Sequence, residues 1–219
     1  MHNSDFYLQA TALPLLQGLS AEDILQMQER GMLRLISMEE EEDEIIHQGQ
    51  HCSTLVMLMQ GTLHCISEGN GWQLQETIVA PDIIEEESLW SLTRTYTHSY
   101  RPAGEGKLLI MEHRHVMQTL AHNEVFRINM LTRLANRLTK KNLSAQPDIL
   151  TPKSVEHKIM TFIQQISCTN GTPKRLTIKM TTLANIIEET RLNVSKALHR
   201  MQKNDIIQLG RETITVNRF

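Results

Sequence analysis

The sequence predicts an α+β fold: an antiparallel β-roll of the double-stranded β-helix or jelly-roll-like type, then a long helix, then a small helical unit closed by a β-hairpin. Three observations predict it. From about Met32 to Met111, short segments rich in Val, Ile, Leu and Thr are punctuated by Gly49, Gly61, Gly69 and Gly71, the rhythm of strands and turns. After Glu112 the apolar period lengthens to that of a helix. The carboxyl-terminal segment alternates short helices and strands. For 219 residues two domains are the starting expectation. The composition shifts place a roll at 1–115, a helix with a hinge at 116–146 and a compact unit at 147–219.

Leu16, Leu19, Ile24 and Met27 fall at roughly helical spacing, and Ser20 ahead of Ala21-Glu22-Asp23 is a capping residue before acids that suit a helix start. A short first helix is expected there. Leu55 to Gln60 reads as a buried strand that reaches a tight turn at Gly61 and returns through Thr62 to Ser67. Gly69-Asn70-Gly71 supplies a second hairpin, since Gly and Asn tolerate the left-handed backbone such turns need. His113 and His115 read as the start of the long helix, broken near His122-Asn123. Along it Ile128, Leu131, Ala135 and Leu138 step by three, four and three, the rhythm of a dimer seam, beside a second stripe of Phe126, Met130 and Leu134. One stripe can cover its own domain and the other a second helix; a single wide stripe serving one core fits the periodicity equally. Ser144, Gln146, Pro147, Thr151 and Pro152 suit a hinge. Beyond it come a helix (Ser154 to Ile166), a loop (Thr169 to Pro173), a strand (Arg175 to Ile178), two close helices and a hairpin running from Ile206 to Val216.

Hydrophobic residues at 40% and charged residues at 21% allow real cores and argue against disorder. Apolar runs such as Leu108 to Met111 are far shorter than the roughly 20 residues a bilayer requires, so no membrane association is expected. Met1-His2-Asn3-Ser4-Asp5 lacks the basic head and apolar stretch of a secretory signal, and a cytoplasmic location is expected. Cys52, Cys65 and Cys168 are odd in number and widely spaced, which gives no disulfide framework and no CxxC metal pair. Reduced, half-buried thiols are expected, with no cofactor and no metal. His47, His51, Cys52 and His64 lie close in sequence, but solvated or core roles suit them better than ligation. The methionines read as packing residues.

The net charge of −3 conceals a division: −12 over residues 1–115, +3 over 116–150 and +6 over 151–219. Only the carboxyl-terminal part can sit close to phosphates. The run Glu39, Glu40, Glu41, Glu42, Asp43, Glu44 reads as a solvated edge and receives no binding role.

Within the basic third, Thr181 to Met201 reads as two short helices and a turn. Val194, Ala197, Leu198 and Met201 form an apolar face, with Thr190 placed as N-cap. The opposite face offers Arg191, Leu192, Asn193, Ser195, Lys196 and His199. A helix enters the major groove end-first, and an arginine near its amino end can give two parallel hydrogen bonds to guanine O6 and N7. Hydroxyls and the helix start can hold phosphates. An ordinary amphipathic surface helix would share the periodicity; the local positive charge and the following hairpin, with Arg211 near its tip, favour a winged helix-turn-helix.

Thr190-Arg191-Leu192-Asn193-Val194-Ser195-Lys196 resembles the recognition-helix pattern S-R-E-T-V-S-R of the CRP/FNR superfamily of transcription regulators. Leu183-Ala184 resembles the L-A opening its preceding helix, Leu16 to Leu25 its F-x-x-L-S-x-E-x-L entry, and Leu55 to Gly61 its strand ending in I-L-x-G. The resemblance covers nearly the whole chain and implies a sensing β-roll, a dimerisation helix and a DNA-binding winged helix. It further implies double-stranded DNA, a second copy of the chain and RNA polymerase as partners. There are departures. Members that bind cyclic nucleotides carry a phosphate cassette near G-D-F-F-G-E-L-A-L followed by R-S-A-T. Here Pro81-Asp82-Ile83-Ile84-Glu85-Glu86-Glu87-Ser88-Leu89 and Tyr96-Thr97-His98-Ser99 put Glu85 at the second glycine, an extra acid at Glu87 and Tyr96 at the arginine. Three acids without that guanidinium repel a phosphate, so a cyclic nucleotide is not the expected effector unless Arg94 or Arg101 swings in. The cysteines do not resemble the iron–sulfur ligands of the oxygen-sensing branch. Leu192 replaces an acid that accepts from cytosine and suits a thymine methyl, while Lys196 replaces an arginine with a point charge.

The expected function is therefore a sequence-specific, homodimeric transcription regulator acting on a palindromic operator, with an effector other than cyclic AMP or none. An alternative is a sensing or adaptor protein whose roll binds a ligand and whose winged helix meets protein. An enzyme has little support, since no GxxxxGKS, HExxH or GxSxG pattern occurs.

Overall fold

The computed structural model describes residues 3–39, 43–145, 154–169, 171 and 173–217. The amino-terminal elements are α1 (Asn3–Thr11), α2 (Ala21–Glu29), β1 (Leu33–Met38), β2 (Thr54–Gln60), β3 (Thr62–Gly69), β4 (Trp72–Val79), β5 (Asp82–Ile84) and α3 (Glu86–Trp90). Then come β6 (Ser99–Pro102), β7 (Gly106–Glu112), α4 (His113–Gln118) and α5 (Glu124–Ala145). The chain closes with α6 (Val155–Ile166), β8 (Lys174–Ile178), α7 (Met180–Ile186), α8 (Arg191–Lys203), β9 (Ile207–Gly210) and β10 (Thr213–Val216). Of the expected hinge, Gln146, Pro147, Thr151 and Pro152 lie outside the described residues, as do Glu40, Glu41 and Glu42. Among the described residues no helix is long and apolar enough to cross a membrane.

The chain forms two compact units. The first comprises Met1–Leu63 and Ile78–Arg137. Its sheet has the order β1-β7-β2-β5, with antiparallel pairs such as Leu55↔Met111 and Met57↔Ile83. Leu55 to Met59 are all buried, because β2 is central in the sheet and covered on both faces, which is why its sequence is a continuous apolar run. The turn at Gly61 does not return the chain beside β2 as a hairpin, because β3 belongs to a different sheet. Gly61 is a corner: its φ is 89°, and a Cβ there would stand 2.6 Å from the Glu105 carbonyl oxygen, so only glycine fits. Ser20 Oγ accepts the Asp23 N–H at 3.1 Å and starts α2. That helix is not the first, since α1 precedes it.

His113 and His115 open the short helix α4 rather than the long one. The backbone leaves the helical path at Thr119 (φ −121°, ψ −71°) and Asn123 (ψ 125°). The long helix α5 restarts where Asn123 Oδ1 accepts the Phe126 N–H at 3.2 Å, an N-cap. Phe126 and Met130 are buried, whereas Ile128, Leu131, Ala135 and Leu138 are exposed. Asn129 Nδ2 donates to the Leu15 and Gln17 carbonyls at 3.3 and 2.8 Å, fixing which side of α5 faces inward.

The second unit comprises His64–Thr77 and Leu138–Phe219. Its strands run in the order β3-β4-β8-β10-β9. The pairing of β4 with β8, Trp72↔Ile178 to Gln75↔Arg175, adds a hairpin that is remote in sequence to the terminal strands. Ile159, Ile163, Leu176, Leu183, Val194, Leu198 and Ile214 share one core with Leu74, and Trp72 stacks edge-on against Phe162 at 5.9 Å. Each large aliphatic side chain so buried contributes about 2 kcal/mol from removal of apolar surface. Ser154 Oγ accepts the His157 N–H at 3.2 Å and caps α6.

Candidate functional site

Helices α7 and α8 are joined by a tight turn in which Glu188 takes a left-handed conformation (φ 55°) and the Glu189 N–H bonds to the Ala184 carbonyl at 2.9 Å. Thr190 Oγ1 accepts the Asn193 N–H at 3.2 Å, so Thr190 is the N-cap. Val194, Ala197, Leu198 and Met201 are buried. That burial fixes the rotation of α8 and turns Arg191, Leu192, Asn193, Lys196 and His199 to solvent, with Ser195 half-buried between them. Leu192 is 63% exposed, an apolar residue in the middle of a cationic face. Other cations nearby are engaged: Arg200 Nε donates to Glu156 at 2.6 Å and Lys158 Nζ to Glu189 at 2.7 Å. Arg191 and Lys196 form no ion pair among the described residues, so their charges remain available. Arg211 is exposed in the β9–β10 turn.

In the first unit the acids of the expected cassette are held internally. Glu85, left-handed at φ 39° and ψ 49°, is 4% exposed. Its Oε2 accepts from Ser88 Oγ at 2.9 Å and from the Thr97 N–H at 2.8 Å, and its Oε1 from Tyr100 Oη at 2.9 Å and His98 Nδ1. Burial pushes the carboxyl up, but these donors outweigh it and hold its pKa at about 2. Glu86 accepts from Arg133 Nε at 2.7 Å and pairs with Arg137, which also binds Glu87, while Arg133 reaches Asp82 at 2.9 Å. Tyr96 is buried with its hydroxyl on the Thr54 carbonyl; burial above all raises its phenol.

This arrangement corrects the charge argument drawn from sequence. The acids are not bare: guanidinium groups do approach, but they come from α5, and the donors suited to an anion are taken by the carboxylate of Glu85. Arg94 and Arg101 do not supply the charge; Arg94 Nη1 lies 3.4 Å from His113 Nδ1 and Arg101 is exposed. The sequence did carry a signal for Arg133 and Arg137, which stand four residues apart and so on one helix face, beside the buried stripe of Phe126 and Met130.

A third cluster lies in the second unit and was not foreseen. Glu76 and Lys174 form an ion pair with side chains 0% and 1% exposed. Glu76 also accepts from the Cys168 N–H at 2.7 Å, the Thr169 N–H at 3.1 Å and Thr169 Oγ1 at 2.8 Å, and Lys174 Nζ donates to the Thr169 carbonyl at 2.6 Å. Burial raises the Glu76 carboxyl, and Lys174 with the other donors pulls it below the usual carboxylate range. The sulfurs of Cys65 and Cys168 lie 2.6 Å apart beside it. Among the described residues, these two cysteines with Glu76 form the one group of donor atoms gathered closely enough to consider for a metal. His47 instead pairs with Glu44 at 2.8 Å on the surface, and His51 is exposed while Cys52 is buried.

No protein-family model matches the chain, and no curated protein matches it. Solved structures do. The catabolite activator protein of Thermus thermophilus is similar with a TM-score of 0.54 at 19% identity, covering 93% of each chain. The sensor domain of the transcriptional regulator DNR from Pseudomonas aeruginosa is similar with a TM-score of 0.51 at 16% identity, covering 67% of this chain and 99% of that one. The likeness is one of fold: the chain is a mixed helix and sheet structure with antiparallel sheets, resembling the catabolite activator protein, a CRP/FNR-like fold.

Proposed function

We propose that the protein is a sequence-specific DNA-binding transcription regulator of the CRP/FNR type, acting as a homodimer on a palindromic operator, with an effector other than cyclic AMP or none. The observation that carries this reading is the amphipathic order of α8: its apolar face is buried, and Arg191, Asn193, Lys196 and His199 are all exposed on the other. In this reading α7, α8 and the β9–β10 hairpin are a winged helix-turn-helix. Arg191 and Lys196 contact bases, Thr190, Asn193, Ser195 and His199 contact phosphates or fix register, and Leu192 meets a thymine methyl. The exposed stripe of Ile128, Leu131, Ala135 and Leu138 is the dimer seam, and RNA polymerase is a further partner. The four donors already bound by Glu85 support an effector without a phosphate at that position.

Enrichment of random duplexes by the purified protein should return a two-fold-symmetric site with half-sites about 10 bp apart. Affinity should fall steeply with salt and drop in the R191A/K196A variant; unaltered affinity would refute the site. The I128S/L131S variant, altered at residues 55% and 66% exposed, should stay folded but sediment as a monomer. Persistence of the dimer removes the seam.

A further inference from the structure

Cys65 and Cys168 are separated by 103 residues in sequence, yet their sulfurs are 2.6 Å apart. Cys65 lies on β3 and is fully buried, whereas Cys168, just beyond α6, is half-buried. Cys168 Sγ donates to Cys65 Sγ in the reduced chain; beyond that hydrogen bond such an approach permits two chemistries, a shared metal ion and a covalent bond, and geometry separates them. Two thiolates on one tetrahedral zinc, each about 2.3 Å from the metal, stand about 3.8 Å apart. The observed sulfurs are more than an ångström closer. The third donor a metal would use, Glu76, already accepts from Lys174, the Cys168 and Thr169 N–H groups and Thr169 Oγ1. An ammonium group seated on that carboxylate stands where a cation would have to enter.

We propose that Cys65 and Cys168 are an oxidant-responsive pair that closes to an intrachain disulfide, clipping β3 to the segment between α6 and β8. The oxidant is a hydroperoxide. Cys168, the less buried residue of the two, attacks the peroxide O–O bond and becomes a sulfenic acid, releasing water when the oxidant is hydrogen peroxide. The Cys65 sulfur then attacks the sulfenic sulfur, the S–O bond breaks, and a second water carries away the hydroxyl with the thiol proton. Two thiols and one hydrogen peroxide thus give one disulfide and two waters. Both sulfurs are oxidised and both peroxide oxygens reduced. Hydrogen bonding to Cys65, burial and the nearby Glu76 carboxylate all raise the Cys168 thiol pKa. Cys168 therefore stays protonated at neutral pH and reacts more slowly than an unhindered cysteine. Such a site records sustained oxidant rather than brief exposure.

The Glu76–Lys174 pair holds the two cysteines together before any bond forms. Glu76 is on β4, which pairs with β8, and it binds the backbone N–H groups of both Cys168 and Thr169. Lys174, on β8, binds the Thr169 carbonyl. The segment carrying Cys168 is thereby fixed against the hairpin that carries Cys65. Closure of this pair requires no bound DNA.

The test uses the full-length protein, reduced, desalted and exposed to hydrogen peroxide under native conditions. The expected result is loss of two of the three thiols, a mass lower by two hydrogens, and a single cross-linked peptide joining Cys65 to Cys168 that reductant reverses. C52S should behave as wild type. C65S, which removes the resolving thiol, should accumulate a sulfenic acid at Cys168 that a dimedone probe traps. Three thiols surviving prolonged exposure, a cross-link involving Cys52, or a predominantly interchain product would overturn the proposal. So would stoichiometric zinc in the purified protein released by a thiol-blocking reagent. The wild-type peptide map decides the matter even if a variant fails to fold.

Discussion

Replacing Glu85 by Gln removes one charge and keeps the side-chain volume, at a position where four donors converge on a carboxylate that is 4% exposed. The folded-state pKa of about 2 against an ordinary 4.5 corresponds, at about 1.4 kcal/mol per unit, to about 3 kcal/mol favouring the ionised form in the folded chain. The sign follows from proton binding. The depressed value means that the unfolded chain takes up the proton first, so the contribution is complete above the ordinary carboxylate range and disappears as pH falls through 4.5 towards about 2. The assay is urea unfolding at about pH 6 and about pH 3 in a W72F background, where Trp90 is the remaining indole and reports on the first unit. E85Q should be about 3 kcal/mol less stable at the higher pH and should approach the parent at the lower one. Parallel stability curves for the two proteins across that interval would refute the assignment of these donors to a charged Glu85.

Two further outcomes concern the second unit. K174M strands the buried Glu76 carboxylate and should cost about 3–5 kcal/mol, with much of the loss recovered in E76Q/K174M; urea unfolding followed through Trp72 in a W90F background measures both, and a neutral K174M would contradict the buried ion pair. T190A should lower stability by about 1 kcal/mol by removing the α8 cap, while T190S, which retains the accepting oxygen, should lose only a few tenths. Equal losses in the two variants would show that the Asn193 N–H does not depend on that hydroxyl.

Much of the fold was legible because its signals are local. Ser20, Ser154 and Thr190 each precede a helix whose third residue lends its N–H to the cap, a relation written in adjacent residues. The strict apolar run of β2 and the three-and-four spacing of α5 and α8 report burial directly, since side-chain direction follows from backbone period. The amphipathic face of α8 was legible for the same reason: with Val194, Ala197, Leu198 and Met201 inward, the positions of Arg191 and Lys196 are determined.

The secondary elements, their order and the charge each carries depend on neighbours a few residues apart, and so could be read along the chain. Long-range packing instead settles that β4 pairs with β8, that β2 and β3 join different sheets, that Arg133 and Arg137 neutralise acids about 50 positions earlier, and that Cys65 meets Cys168. Each of these is a contact across a long loop. Loop closure changes only slowly with length, so sequence separation leaves almost no trace of which distant partner is chosen; that choice is made by the shape and polarity of the surfaces that pack.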